Sequence, residues 1–101
     1  MKGRPVPTYD LAEIQQRVRS GYFRVTASAR ATIIRLQLER SAASDCVLAL
    51  TEADFYKSME SEAVPGLWQD VYRPMFDGLV MYVKLQIAFD GFVVMISFKE
   101  L

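Results

Sequence analysis

Lys57, Gln69, Tyr72, Arg73, Tyr82, Lys84 and Lys99 are the residues whose types could do chemistry together. All fall in the half of the chain that reads as strands. Singly, each has an ordinary explanation. A lysine on a strand is commonly a solvated face or a guard against edge-to-edge aggregation. A lone tyrosine is commonly half-buried packing, and Gln69 between Trp68 and Asp70 can be plain surface. As a set they are coherent. Lysine and arginine can hold a phosphate and stabilise the charge that grows on it. A lysine amine or a tyrosine hydroxyl can move protons. Aromatic faces such as Tyr72 or Tyr82 can stack on the bases of single-stranded RNA. A sheet face with these groups could cleave RNA without a metal, the 2′-hydroxyl attacking the neighbouring phosphate.

The rest of the composition narrows the chemistry further. The chain has 101 residues, no histidine and one cysteine. Ser-His and Cys-His nucleophile pairs and imidazole acid–base chemistry are therefore absent. The same shortage argues against a structural zinc site, so neither metal nor cofactor is expected. Twelve basic and twelve acidic residues give a formal net charge of zero. Any anion site must then arise from local clustering rather than bulk charge. Half the residues are hydrophobic (51%), enough for one core and too many for disorder. A single domain over residues 1–101 is expected. No apolar run approaches a membrane span, and no apolar stretch follows Met1-Lys2-Gly3-Arg4-Pro5. Cys46 lies in an apolar segment and reads as a small core residue in a reducing compartment, which suits a cytoplasmic protein.

Elements to position these side chains can be read in order. Residues 1–7, with Pro5 and Pro7, read as an extended lead-in. Thr8 or Asp10 can cap a helix whose Leu11, Ile14 and Val18 share one face, closed by Gly21. Tyr22–Val25 is a short β-like run. A second helix is expected from Thr26 or Ser28 to about Glu39, with Ala29, Ile33 and Leu36 inward and Ile34 and Leu38 widening the stripe. After the link Ser41–Ser44, a short apolar helix is expected over Cys46–Leu50, capped by Ser44 or Asp45. Thr51 and Asp54 have capping-box spacing.

Beyond Asp54 the pattern changes to strands. Phe55, Lys57 and Met59 alternate onto one side. In the next run Gln69 and Val71 oppose Trp68, Asp70 and Tyr72, and Pro74 ends it. Residues 75–78 read as a turn into a closing hairpin centred on Asp90-Gly91, a strong signal for a two-residue type I′ turn. That turn would set Phe89 opposite Phe92, Ile87 opposite Val94, Leu85 opposite Ile96 and Val83 opposite Phe98 on a buried face. The other face would pair Tyr82 with Lys99 and Lys84 with Ser97. Helices followed by antiparallel strands predict an α+β domain with helices on one face of the sheet.

The blocks Asp54-Phe55-Tyr56-Lys57-Ser58-Met59, Trp68-Gln69-Asp70-Val71-Tyr72-Arg73-Pro74, Tyr82-Val83-Lys84 and Ser97-Phe98-Lys99-Glu100 resemble, in order and spacing, the MqsR toxin family, the motility quorum-sensing regulators. The resemblance covers nearly the whole chain and is densest from Leu50 onward. It implies a RelE-like α+β fold, with N-terminal helices packed on a curved antiparallel β-sheet. It also implies a type II toxin: a metal-independent endoribonuclease (mRNA interferase) that inhibits translation by cutting mRNA at short GC-containing sequences such as GCU. Such toxins are silenced by an MqsA-like antitoxin and are tied to stress response, biofilm formation and persister cells. By position, the resemblance marks Lys57, Gln69, Tyr82 and Lys99 as catalytic, and Arg73 also matches. Lys84 and Tyr72 are expected to bind substrate. The chain departs from the family between Pro74 and Tyr82, which is more apolar here, around Asp90-Gly91, where the hairpin is longer, and over residues 30–45. The alternative readings are a non-catalytic RNA- or protein-binding module, or a purely structural domain whose polar strand face serves solubility.

Overall fold

The computed structural model describes residues 3–101. The expected lead-in begins at Met1 and Lys2, outside the described residues. From Gly3 it forms a short strand, β1 (Gly3–Arg4). There follow α1 (Leu11–Arg19), β2 (Phe23–Val25), α2 (Ala27–Arg35), α3 (Ala42–Ala49) and a 3₁₀ turn at Glu52–Asp54. The remainder is β3 (Phe55–Glu60), β4 (Trp68–Tyr72), β5 (Met75–Phe76), β6 (Leu79–Ile87) and β7 (Val93–Glu100). The protein is α+β. The sheet order is β1-β3-β4-β6-β7-β2, with β5 pairing β6. No helix among the described residues is long and apolar enough to cross a membrane.

The helices cover one face of the sheet. Leu11, Ile14 and Val18 of α1, Ala29 and Ile33 of α2, and Cys46 and Val47 of α3 pack against Tyr72, Met81, Val83, Leu85, Val93, Met95 and Phe98. Burial holds the Cys46 thiol far up, to about 12, so it is an inert core group. The expected antiparallel sheet is corrected in one place. Strand β2 pairs parallel to β7, with Phe23 beside Val93 and Val25 beside Met95, so the sheet is mixed. Helix α2 stops at Arg35 rather than near Glu39, because Gln37 takes a left-handed φ of 55°. Ile34, expected to widen the inward stripe, instead points outward and is 71% exposed. Helix α3 begins four residues before the expected Cys46, its N-cap being Ser41. The capping box at Thr51 and Asp54 forms as the spacing predicts.

The closing hairpin keeps its predicted register at the open end only. Tyr82 pairs with Lys99, Val83 with Phe98 and Lys84 with Ser97. A β-bulge then intervenes, and Leu85 pairs with Met95 and Ile87 with Val93. The slip places Val93 and Met95 in the core, where Val94 and Ile96 were expected. The extra residue is Ile96, whose carbonyl accepts from Thr26 Oγ1 at 2.9 Å. Thr26 also caps α2 by accepting from the Ala29 amide. One threonine thus starts the helix and satisfies the bulge. The turn differs accordingly. Ala88 N–H donates to Phe92 C=O and Gly91 N–H to Ala88 C=O, which leaves a three-residue loop, Phe89-Asp90-Gly91. Only Gly91 has a positive φ, 89°, and Phe89 is 86% exposed rather than packed on Phe92.

The type I′ geometry appears instead at the chain's other Asp-Gly. Asp77 and Gly78 have φ of 52° and 79°. They join Phe76 to Leu79 and Met75 to Val80. The same uninterrupted register runs on to Tyr72/Val83, Val71/Lys84 and Asp70/Leu85. The segment expected as a turn is the tip of a long hairpin, and that hairpin aligns the site.

Asp70 staples the lead-in to this hairpin. It is fully buried, and its carboxylate accepts from the Thr8 amide (3.0 Å) and the Tyr9 amide (2.9 Å). Thr8 Oγ1 bonds Ser58 Oγ at 2.6 Å, and Arg4 stacks 3.6 Å over Trp68. Asp70→Asn removes the buried charge that these two amides bond to. It is expected to cost about 1–3 kcal/mol, read as a lower urea midpoint with unchanged slope. An unchanged midpoint would remove Asp70 from this role.

Candidate active site

The sheet face turned away from the helices is an ordered grid. Register places Lys57, Val71, Lys84 and Ser97 in one row across β3, β4, β6 and β7. On one side of it lies the row Met59, Gln69, Gln86, Val94. On the other side lies Tyr82 with Lys99, and the β4–β5–β6 register brings Arg73 beside Tyr82. Lys57 reaches this face through a second bulge, between Phe55 and Lys57. The strict alternation expected for this strand is corrected there: Phe55 turns into the core while Lys57 and Met59 face outward.

Two phenol rings organise the cations. Lys99 Nζ lies 5.2 Å and Lys84 Nζ 6.0 Å from the Tyr82 ring centroid. The Arg73 guanidinium lies 3.9 Å over the Tyr56 ring, with Lys57 Nζ at 5.4 Å from the same ring. Among the described residues, none of these four cations has a carboxylate within ion-pair distance. Arg17, Arg24 and Arg35, elsewhere on the surface, each hold one. Unpaired positive charge is thus gathered on one open face although the whole chain is neutral.

Burial and like charge tune two of these groups in opposite directions. The Lys84 ammonium is pushed below the usual lysine value, first by partial burial and then by Lys99 and Lys57, with Glu62 opposing. Val71, fully buried between Lys57 and Lys84, supplies the apolar floor that withholds water. The Tyr82 phenol is pushed above its usual 10.0, again first by burial and then by Tyr56. A lysine that releases its proton more easily beside a phenol that holds its own is a pair that could serve as base and acid.

Gln69 is 9% exposed, and its Nε2 donates to Gln86 Oε1 at 3.0 Å. That bond fixes its amide at the edge of the lysine row. Of the residues expected from sequence, Lys57, Gln69, Arg73, Tyr82, Lys84 and Lys99 share this face. Tyr72 does not, and its expected role as a stacking surface is corrected. It is 1% exposed, packs edge-to-face on Phe55 at 5.6 Å, and belongs to the core behind the sheet. Burial and nearby carboxylates, Asp70 foremost, raise its phenol far beyond the ordinary range. Adjacent strand residues face opposite ways, so Arg73 and Tyr72 could not both serve the same face. Tyr56 and Gln86 join the face without having been expected as site residues. Tyr56 is 46% exposed beneath Arg73, but only the bulge beside it gives it that position. Alternation along β6 puts Gln86 on the face of Tyr82 and Lys84, with Met95 expected opposite; the bulge sets Val94 there instead, and only the β4–β6 register brings Gln86 to Gln69.

The family model described as "Motility quorum-sensing regulator, toxin of MqsA" matches residues 6–100. The mRNA interferase toxin MqsR of Escherichia coli (strain K12) is 35% identical over 94 residues, covering 93% of this chain and 94% of that protein. The strand face built around Lys57, Gln69, Tyr82 and Lys99 thus belongs to a chain that is a member of the MqsR toxin family.

Proposed function

We propose that this protein is a type II toxin that cleaves mRNA without a metal ion and is neutralised by an MqsA-like antitoxin. The observation that carries the reading is the opposed tuning of Lys84 and Tyr82 inside a cluster of unpaired cations on one face. The helices-on-sheet layering with an open basic face suits a RelE-like ribonuclease. In the proposed reaction the neutral Lys84 amine takes the proton of a ribose 2′-hydroxyl. The 2′-oxygen bonds to the adjacent phosphorus, the bond from phosphorus to the 5′-oxygen breaks, and Tyr82 gives its proton to that leaving oxygen. The products are a 2′,3′-cyclic phosphate and a free 5′-hydroxyl. Lys57, Lys99 and Arg73 hold the phosphate and balance the charge that builds on it, supplying what a metal ion otherwise would. Gln69, held by Gln86, orients the substrate.

Purified protein is expected to cut single-stranded RNA equally well with and without EDTA. Lys57→Ala and Lys99→Ala should each lower the rate about 10²-fold, the scale of losing one positioned charge-stabilising donor. Cleavage abolished by EDTA would reject the metal-free reading, and unchanged rates in both variants would reject the site. RNA retained on the protein with no product at all would favour a binding module. Growth arrest on expression, relieved by a co-expressed antitoxin, is the expected cellular result.

A further inference from the structure

Beside the Tyr82–Lys99 row lies an exposed apolar shelf. Val80 precedes Tyr82 by two residues on β6 and so shares its face. Met75 pairs with Val80 on one side, and on the other the Leu101 amide donates to the Val80 carbonyl at 2.9 Å. Met75, Val80 and Leu101 therefore form the next row of the grid. They are 69%, 42% and 65% exposed. The buried neighbour Met81 shows that the helix side of this hairpin is already filled. A contiguous exposed apolar row beside the cluster of cations calls for an occupant.

We infer that this shelf receives a nucleobase of the RNA, the one attached to the nucleotide beside the scissile phosphate. The inference rests on the proposed ribonuclease reading and adds the base-contacting surface to it. Two strand residues span about 6.6 Å, so the shelf begins one nucleotide's reach from the phosphate held at Tyr82 and Lys99. The cations there tether the phosphate, and the base on the same nucleotide must lie to one side or the other. One side is the lysine row with its ammonium groups. The other is this shelf, where a base ring can cover methyl and thioether groups and shed water. The occupant is therefore a base rather than another phosphate, since Met75, Val80 and Leu101 offer no donor or positive charge. Met75 suits the part because its unbranched thioether adapts to rings of different shape. The hairpin bearing it is held by the Asp77-Gly78 type I′ turn, so the shelf is rigidly placed relative to Tyr82.

The test uses a short RNA made uncleavable by a 2′-deoxy nucleotide at the scissile position, so that binding is read apart from chemistry. Two further versions carry an abasic nucleotide on the 5′ or the 3′ side of that phosphate. Met75→Ser/Val80→Ser is expected to weaken binding of the intact RNA about tenfold by fluorescence anisotropy. On one of the two abasic RNAs, already weakened for the wild type, the variant should match the wild type. Far-UV circular dichroism and Tm control for folding. Single Val80→Thr, which keeps the shape of the side chain, gives a smaller loss of the same pattern. Equal losses on all three RNAs, or no loss on any, overturn the inference while leaving the cleavage reading intact. Loss of antitoxin co-purification with unchanged RNA binding overturns it in favour of a protein contact. Failure of the wild type to bind any of the RNAs overturns the ribonuclease reading itself, and the shelf inference with it.

Discussion

Tyr82→Phe is expected to lower kcat by about 10²–10⁴-fold, the range for removing a positioned general acid. KM should change little, because the ring remains in place between Lys84 and Lys99. Burial and Tyr56 hold the phenol above its usual value, which suits the proton-donating role proposed for it. The decisive comparison is an RNA whose 5′-bridging oxygen is replaced by sulfur. A thiolate leaves without being protonated, so Tyr82→Phe should cleave this substrate at nearly the wild-type rate. If the variant is equally slow on both substrates, Tyr82 positions the RNA and does not donate a proton.

Lys84→Arg gives the complementary result. Arginine keeps the positive charge but does not give up its proton, so it cannot serve as a base. The rate should fall about 10²–10⁴-fold, while binding of the uncleavable 2′-deoxy RNA stays close to wild type. Retained activity would make Lys84 a cation only. The pH dependence follows with its sign. In the proposed reaction Lys84 acts in its neutral form, so the rate should rise with pH up to its lowered pKa, below the usual 10.5. Tyr82 in that reaction acts in its protonated form, so the rate should fall only above its raised pKa, beyond 10.0. The rising limb should vanish in Lys84→Arg and the falling limb in Tyr82→Phe. Because neighbouring lysines help to lower Lys84, Lys99→Ala should move the rising limb toward higher pH as well as slow the reaction.

Much of this site is legible in the linear chain. The absence of histidine leaves lysine, arginine and tyrosine as the candidate groups for proton transfer and charge stabilisation. Alternation at the polar end of the hairpin puts Tyr82, Lys84, Ser97 and Lys99 on one face, whereas their pairing, expected from a two-residue turn, survives because the longer loop and the bulge at Ile96 offset one another. The same alternation separates Gln69 and Val71 from Asp70 and Tyr72, which is enough to have removed Tyr72 from the face that Arg73 occupies.

What the chain order cannot contain is where alternation stops being informative. Val93-Val94-Met95-Ile96 are all apolar, so either parity could fill the core, and the pattern is silent about register. The bulge at Ile96 is decided by Thr26, distant in sequence, which binds the bulged carbonyl while capping α2. Likewise two Asp-Gly pairs carry the same local turn signal. The one at Asp77-Gly78 closes a two-residue hairpin, whereas Asp90 is held by Arg24 and by the Phe92 amide in a wider loop. Local propensity proposes a turn, and the packing of the flanking strands selects its type. Sequence by itself determined the α+β class, the family and the chemical types of the candidate site residues, because these depend on composition, periodicity and short spacings. Tertiary structure alone decided that Lys84 sits over buried Val71 between two other lysines, and that Tyr82 is shielded beside Tyr56. The opposed acidities arise from burial and charges converging from four strands, and no stretch of chain holds those together until the sheet forms.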